Sequence, residues 1–396
     1  MKTMNVERSA AESRPRFLGR TLKMGRRTCE PSAGFLPLQV FQAAGLRRWY
    51  CAVLMCLAFW MPQRAIAGVQ FEEIALEFES HKESHLLVRC TGEAVVVVNV
   101  LEKADYVVIT VEEEERLFEH SFRASNIEHI DVEVPEAKLA SLNYQMHASV
   151  SKLLVPRSIT YSGGPGIDTI HINADYNDAG QTVELWNRFS VDLSTYAAPD
   201  HVNIDVARVA TDGSLAVNAD LGEDDDYFRY WTRYGSHSAF DMVIEVAAGA
   251  GSDRLYLEYH PLAEFLNGTT RVLLASGDPD DTTEQNGEDQ IRWFSGAEIL
   301  DHHEVMMIGD TGNDLLLAWL MGDCRENESI YLWMAGQQSS DALGVLLENN
   351  PNWQGSILLD GGPGNDDYFP SSTKYGPSNI ELVDVENFVE TLMSLF

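Results

Sequence analysis

A nine-residue pattern of glycine, aspartate and a large apolar residue recurs through this 396-residue chain, and it constrains the fold more than any other feature. Residues 163–171 (Gly163, Gly164, Gly166, Asp168, Ile170) and 361–369 (Gly361, Gly362, Gly364, Asp366, Tyr368) both read Gly-Gly-x-Gly-x-Asp-x-U-x throughout, with U a large apolar residue. Residues 248–256 and 309–317 each depart at one position, Ala248 and Asp310. Weaker copies lie at 222–228 and 286–291, and glycine-poor turns at Pro199-Asp200 and Ser340-Asp341. The key aspartates, in order Asp168, Asp200, Asp225, Asp253, Asp289, Asp314, Asp341 and Asp366, recur about every 28 residues. The longest step holds a polar insertion, Asp278 to Glu284, of the kind that surface loops absorb.

Strands flank these turns. Apolar and polar residues alternate in Asn203-Ile204-Asp205-Val206, Met242-Val243-Ile244-Glu245-Val246 and Leu255-Tyr256-Leu257-Glu258-Tyr259, a period of two that marks half-buried strands. A repeated strand, turn, strand and variable return buries its apolar side only against copies of itself, which predicts a stacked solenoid. The expected fold is all-β, a parallel β-solenoid of roll or helix type with coils of about 28 residues over 161–396. Residues 68–160 keep the strands but lack the glycine turn, and read as an N-terminal β cap or as degenerate earlier coils. Helical periodicity is confined to Val385–Phe396 and a short piece from Glu136 to Leu142.

Glycine admits positive φ, letting a turn aim its carbonyls, and aspartate supplies carboxylate oxygen. Calcium takes six to eight such oxygens, so stacked turns of this composition can enclose it. The segments around Asp168, Asp253, Asp314 and Asp366 resemble the hemolysin-type (RTX) calcium-binding repeats of secreted bacterial proteins. That resemblance implies a parallel β-roll with calcium between turns. Two features differ from the family pattern: one turn recurs per coil rather than tandem nonapeptides, and the chain carries an N-terminal export signal rather than a C-terminal one. The candidate calcium ligands are Gly164, Gly166, Asp168, Asp225, Gly251, Asp253, Asp289, Asp310, Gly312, Asp314, Gly362, Gly364 and Asp366. Asp200 and Asp341, without glycine, are expected to be plain corners.

Charge supports a cation partner. The chain has 28 Lys and Arg against 61 Asp and Glu. Residues 1–67 hold 11 of the basic and 3 of the acidic residues, leaving 17 against 58 downstream. A field of that sign attracts metal ions and repels nucleic acid and anionic membrane. In the basic segment, Arg47-Arg48, the apolar run Tyr50 to Met61 and Ala65-Ile66-Ala67 form a secretory signal pattern, with cleavage expected after Ala67. The run is about half a membrane span, so no stable span is expected after cleavage. The expected location is the medium, cell surface or periplasm. Cys90 and Cys324, the two cysteines beyond the leader, either pair or sit as buried small hydrophobes.

Neither a Gly-x-Ser-x-Gly elbow nor a His-Glu-x-x-His zinc site occurs, and His302-His303 are adjacent, so they point to opposite faces of a strand. His171, Arg229, Arg254 and Arg292 follow the turn aspartates by three, four, one and three residues, offsets that do not require a shared face. Tyr227, Tyr230, Trp231, Tyr256, Tyr259, Trp319 and Trp333 stand in the motif strands, where most are expected in or beside the core. The expected function is non-catalytic calcium binding in an exported solenoid serving adhesion or surface and matrix binding, with extracellular polysaccharide or a surface protein as partner. The alternative is a β-helical polysaccharide-active enzyme, a lyase, hydrolase or epimerase.

Overall fold

In a computed structural model of the chain, the residues described are 69–388, apart from 78–81, 114–115, 211–212, 233–239, 261–264, 267, 278–286, 297, 300–301, 322–328, 348–354 and 370–379. The leader, Cys324 and the polar insertion from Asp278 to Glu284 lie outside them.

The described residues form a parallel β-solenoid. One long sheet, here sheet A, has 12 strands; the other, sheet B, has 13. The chain alternates between them. Arg188–Ser194 lies in sheet A, a short turn leads to His201–Val206 in sheet B, and a return brings it to Ser214–Asp220, which pairs in parallel beside Arg188–Ser194. The next turn leads to Tyr227–Thr232, parallel to His201–Val206. All pairings from His129–Glu133 and Leu139–Met146 onward within the two sheets are parallel.

Strict alternation aligns the inward residues of successive coils in columns. Val202, Phe228, Leu255, Ile291, Leu316 and Leu343 stack in sheet B, facing the sheet A column Val191, Val217, Ile244, Val272 and Val305. All are buried in one continuous core. Each fully buried Leu, Ile or Phe contributes about 2 kcal/mol, which offsets the entropy of ordering its strand only because every coil is covered on both sides.

The N-terminal region belongs to the same two sheets. Lys82–Cys90 pairs in parallel with His129–Glu133, and Val95–Glu102 with Leu139–Met146. Here antiparallel strands close the solenoid: Val69–Glu77 on sheet A, and Tyr106–Glu113 followed by Arg116–Arg123 on sheet B. The outermost strand exposes Arg116, Glu119, His120 and Arg123, charges that discourage edge-to-edge association. A buried ion pair ties this end together. Arg157 donates to both Glu102 oxygens, at 2.6 and 3.0 Å, and to the Ile127 carbonyl, while the Tyr144 hydroxyl donates to Glu102 at 3.2 Å.

Two sequence expectations are corrected here. The helical piece from Glu136 to Leu142 is a turn followed by the strand Leu139–Met146, because Ala140, Leu142 and Tyr144 alternate into the core. Pairing with both neighbours outweighs the short helical pattern. In the C-terminal tail, Asn387–Phe388 continues sheet B, and the residues beyond lie outside those described. The single helical turn among the described residues is a 3-10 turn at Ala124–Asn126. No described helix is long and apolar enough to cross a membrane. Cys90 is a free, buried thiol, and burial with the Glu113 charge pushes it up to about 12.

Candidate metal centre in the stacked turns

Each turn from sheet A to sheet B places one aspartate at the same point inside the solenoid. The Asp168 N–H donates to Oδ1 of Asp200 at 2.7 Å, and Asp200 donates to Asp226, Asp226 to Asp253 and Asp253 to Asp289 at the same distance. The row continues through Asp314, Asp341 and Asp366 at 2.8–3.0 Å. The steps are 32, 26, 27, 36, 25, 27 and 25 residues, in line with a coil of about 28. Glu386 closes the far end, its longer side chain accepting from the Asp366 N–H at 2.9 Å. At the near end the Tyr161 hydroxyl donates to Asp168 Oδ1 at 2.9 Å. All eight aspartates are buried, at most 3 % exposed.

The geometry explains the residue types. A short acceptor side chain is needed to reach an N–H one strand spacing away, about 4.8 Å. The glycines make room. A Cβ at Gly163, Gly309, Gly336 or Gly361 would overlap the carboxylate five positions on, while one at Gly164, Gly166, Gly251, Gly312, Gly362 or Gly364 would press on a backbone carbonyl of the preceding coil. Close backbone approach therefore accounts for all six glycines proposed as ligands.

The structure revises which aspartates matter. In the run Asp224, Asp225, Asp226, the buried row takes Asp226; Asp225 is exposed and accepts from the Ser252 N–H at 2.9 Å. Inward packing of Phe228 and Tyr230 sets that register. Asp200 and Asp341 are not plain corners but full members of the row. Two residues before each aspartate, where Gly251 and Gly364 stand in other turns, Ala198 (φ 80°) and Ser339 (φ 96°) adopt left-handed backbone conformations and give the turn the same shape.

One turn adds a third carboxylate. Asp310 stands where most complete copies have their second glycine, and Gly277 of the preceding coil leaves space for its side chain. Asp310 Oδ1 accepts from the Gly312 N–H, and the Asp310 N–H donates to Asp314 Oδ2, both at 2.9 Å. Oxygens of Asp289, Asp310 and Asp314 lie within 4.8 Å of one another, on side chains 1 %, 7 % and 2 % exposed. Oδ2 of Asp289 and of Asp310 is buried without a hydrogen-bond partner.

The same deficit repeats along the row, where Oδ2 of Asp168, Asp200, Asp226, Asp253, Asp341 and Asp366 also lacks a partner. Burial, reinforced by neighbouring aspartates, raises these carboxyls: to about 6 at Asp200 and Asp289, about 7 at Asp168 and Asp314, about 8 at Asp253 and Asp341, and about 9 at Asp226. Asp310 and Asp366 shift the same way. Donated backbone N–H bonds oppose the rise in most of them but do not cancel it. Such a row relieves its charge by taking up protons or cations. Its donors are oxygens alone, the set preferred by calcium and magnesium over zinc or copper.

The residues weighed for catalysis come together more than their offsets implied. Counted from Asp226, Arg229 lies three residues on, like His171 and Arg292, and register places these three with Asn203 and Tyr256 in one outward column of sheet B. Arg254 stands in the adjoining column of the same face. The carboxylates there are engaged: Asp205 with His171 at 3.0 Å and Glu258 with Arg229 at 2.8 Å. His303 is buried and His302 exposed, on opposite faces as expected. Of the seven motif-strand aromatics, Tyr230 and Tyr259 are in the core; Tyr227, Trp231, Tyr256, Trp319 and Trp333 face outward, half-buried. Comparison of the chain with protein-family models, curated proteins and solved structures gave no match.

Proposed function

We propose that this chain is an exported, non-catalytic β-solenoid that takes up calcium in its stacked turns, with an extracellular binding or adhesive role. The observation that carries this reading is the gathering of Asp289, Asp310 and Asp314, three buried carboxylates, two of them with an unpartnered oxygen. A hard divalent cation there offsets the mutual repulsion and desolvation that raise all three groups. Carbonyl oxygens and water complete the shell that carboxylates begin. Bound cation stabilises the folded chain by mass action. The export pattern at residues 47–67 supports an extracellular setting, where free calcium is abundant enough for sites of modest affinity.

The test is thermal melting of the purified protein, followed by far-ultraviolet circular dichroism, in excess EDTA and then with millimolar calcium or magnesium. A rise in melting temperature with calcium beyond that with magnesium is expected. Superimposable curves in EDTA and calcium would sink the reading and leave a metal-independent solenoid.

A further inference from the structure

The two outward faces of the solenoid differ in chemistry. Along sheet A the central outward column over the early coils reads Thr160, Asp192, Asn218, Glu245 and Leu273. Over matching coils of sheet B it reads His171, Asn203, Arg229, Tyr256 and Arg292. Tyr227 and Arg254 flank that column on one side, Trp231 on the other. Over these coils tyrosine and tryptophan face outward on sheet B alone, whereas outward arginines stand on both sheets, Arg188 and Arg271 on sheet A; tyrosine, tryptophan and arginine are the residue types that dominate binding surfaces.

Two arginines in this column system have no carboxylate partner among the described residues. Arg229 is paired with Glu258, but Arg254 is exposed without a carboxylate partner among the described residues. Among the described residues, Arg292 lies 5.7 Å over the Tyr256 ring, donates only to Gln290 at 3.3 Å, and keeps a buried Nε with no partner. Cations without acids are unexpected in a chain of net charge −33. His201 stacks on Tyr227, with centroids 4.3 Å apart and planes 5° from parallel, and Tyr227 meets Tyr256 at 5.5 Å with planes tilted by 41°.

We infer that this face of sheet B binds an acidic oligosaccharide, a chain of uronate type running along the solenoid axis, with its carboxylates on Arg254 and Arg292 and its hydroxyls on the tyrosines, Asn203 and Glu258. Size favours this occupant over a protein. Five coils by three outward positions cover roughly 20 Å by 14 Å, or roughly 300 Å², well below the roughly 800 Å² per partner of a stable protein interface. A polymer running along the axis meets Arg254 and Arg292 on neighbouring coils, and guanidinium suits carboxylate in a forked pairing. The inference is independent of metal in the turns, which lie on the edge between the sheets.

The experiment is isothermal titration of the whole protein, at one fixed calcium concentration, with an oligogalacturonate, a neutral glucan oligomer and a short polyglutamate. Arg254→Ser/Arg292→Ser is compared with Arg271→Ser, which removes an exposed outward arginine from sheet A. Circular dichroism checks the fold, and Arg254→Ser alone serves if the double variant does not fold. The expected result is oligogalacturonate binding that weakens at least about ten-fold in the double variant and is unchanged in Arg271→Ser. No binding by the parent protein, equal binding of the glucan, or equal loss in Arg271→Ser would each overturn the inference. Polyglutamate binding as tightly would overturn it in favour of an acidic peptide.

Discussion

Replacing Asp253 by Asn tests whether the buried row carries charge it would rather lose. Asp253 is fully buried; its Oδ1 accepts the Asp226 N–H at 2.7 Å and its Oδ2 has no partner. Asparagine keeps the Oδ1 acceptor and nearly the same shape but cannot ionise. Burial raises Asp253 from 3.8 to about 8, so between those values the folded chain holds a proton that the unfolded chain has released. Stability is therefore fully present below about pH 4 and falls as pH rises towards 8, in metal-free solution. At pH 7 the gap of about 3 units at 1.36 kcal/mol each sets an upper bound of about 4 kcal/mol. Relaxation and coupling along the row reduce the expected gain for Asp253→Asn to about 2 kcal/mol. Urea titration in EDTA at pH 4 and pH 7 measures it: the variant should match the parent to within about 1 kcal/mol at pH 4 and exceed it at pH 7. A variant less stable by the same amount at both values would refute the reasoning, since the carboxylate would then be favourably compensated inside the fold.

Other outcomes follow from the same geometry. Gly312→Ala should destabilise by about 1–3 kcal/mol, because its Cβ would overlap the Gly287 carbonyl; chemical denaturation checks this. Arg157→Ala strands the Glu102 carboxylate, itself 2 % exposed, and should cost about 3–5 kcal/mol, with loss of hydrogen-exchange protection first in residues 95–146. Asp310→Gly restores the motif residue and deletes one of three gathered carboxylates; under the calcium reading it should weaken the tightest cation site about ten-fold or more by terbium luminescence, with stability in EDTA unchanged or raised.

The solenoid and its coil length were readable because Gly/Asp turns and alternating strands repeat, and repetition survives local ambiguity. What escaped depends on exact register. Asp224, Asp225 and Asp226 are interchangeable in a string, and only the inward packing of Phe228 selects the third. Asp200 and Asp341 were discounted for lack of glycine, yet Ala198 and Ser339 bear the left-handed strain instead. The five-residue interval from Gly336 to Asp341 was the available signal, shared with Gly163 and Asp168, Gly309 and Asp314, and Gly361 and Asp366. The common column of His171, Arg229 and Arg292 depended on the same one-residue correction. Asp310, read as a departure from the motif, is the residue that completes the three-carboxylate cluster.

The row of aspartates also has a direction. Each turn offers one N–H towards the C-terminal end and receives one from the other side, so any interior coil is a self-contained module. Deleting or duplicating a whole coil between Asp200 and Asp341 leaves every remaining N–H and Oδ1 of the row matched. Only Tyr161 and Glu386 are unique, fixed ends of a row whose length is free. The uneven steps of 25 to 36 residues fit such a history, since the returns vary while the aspartate junction stays the same. Lineages of this chain should therefore differ by whole coils inserted between two constant termini.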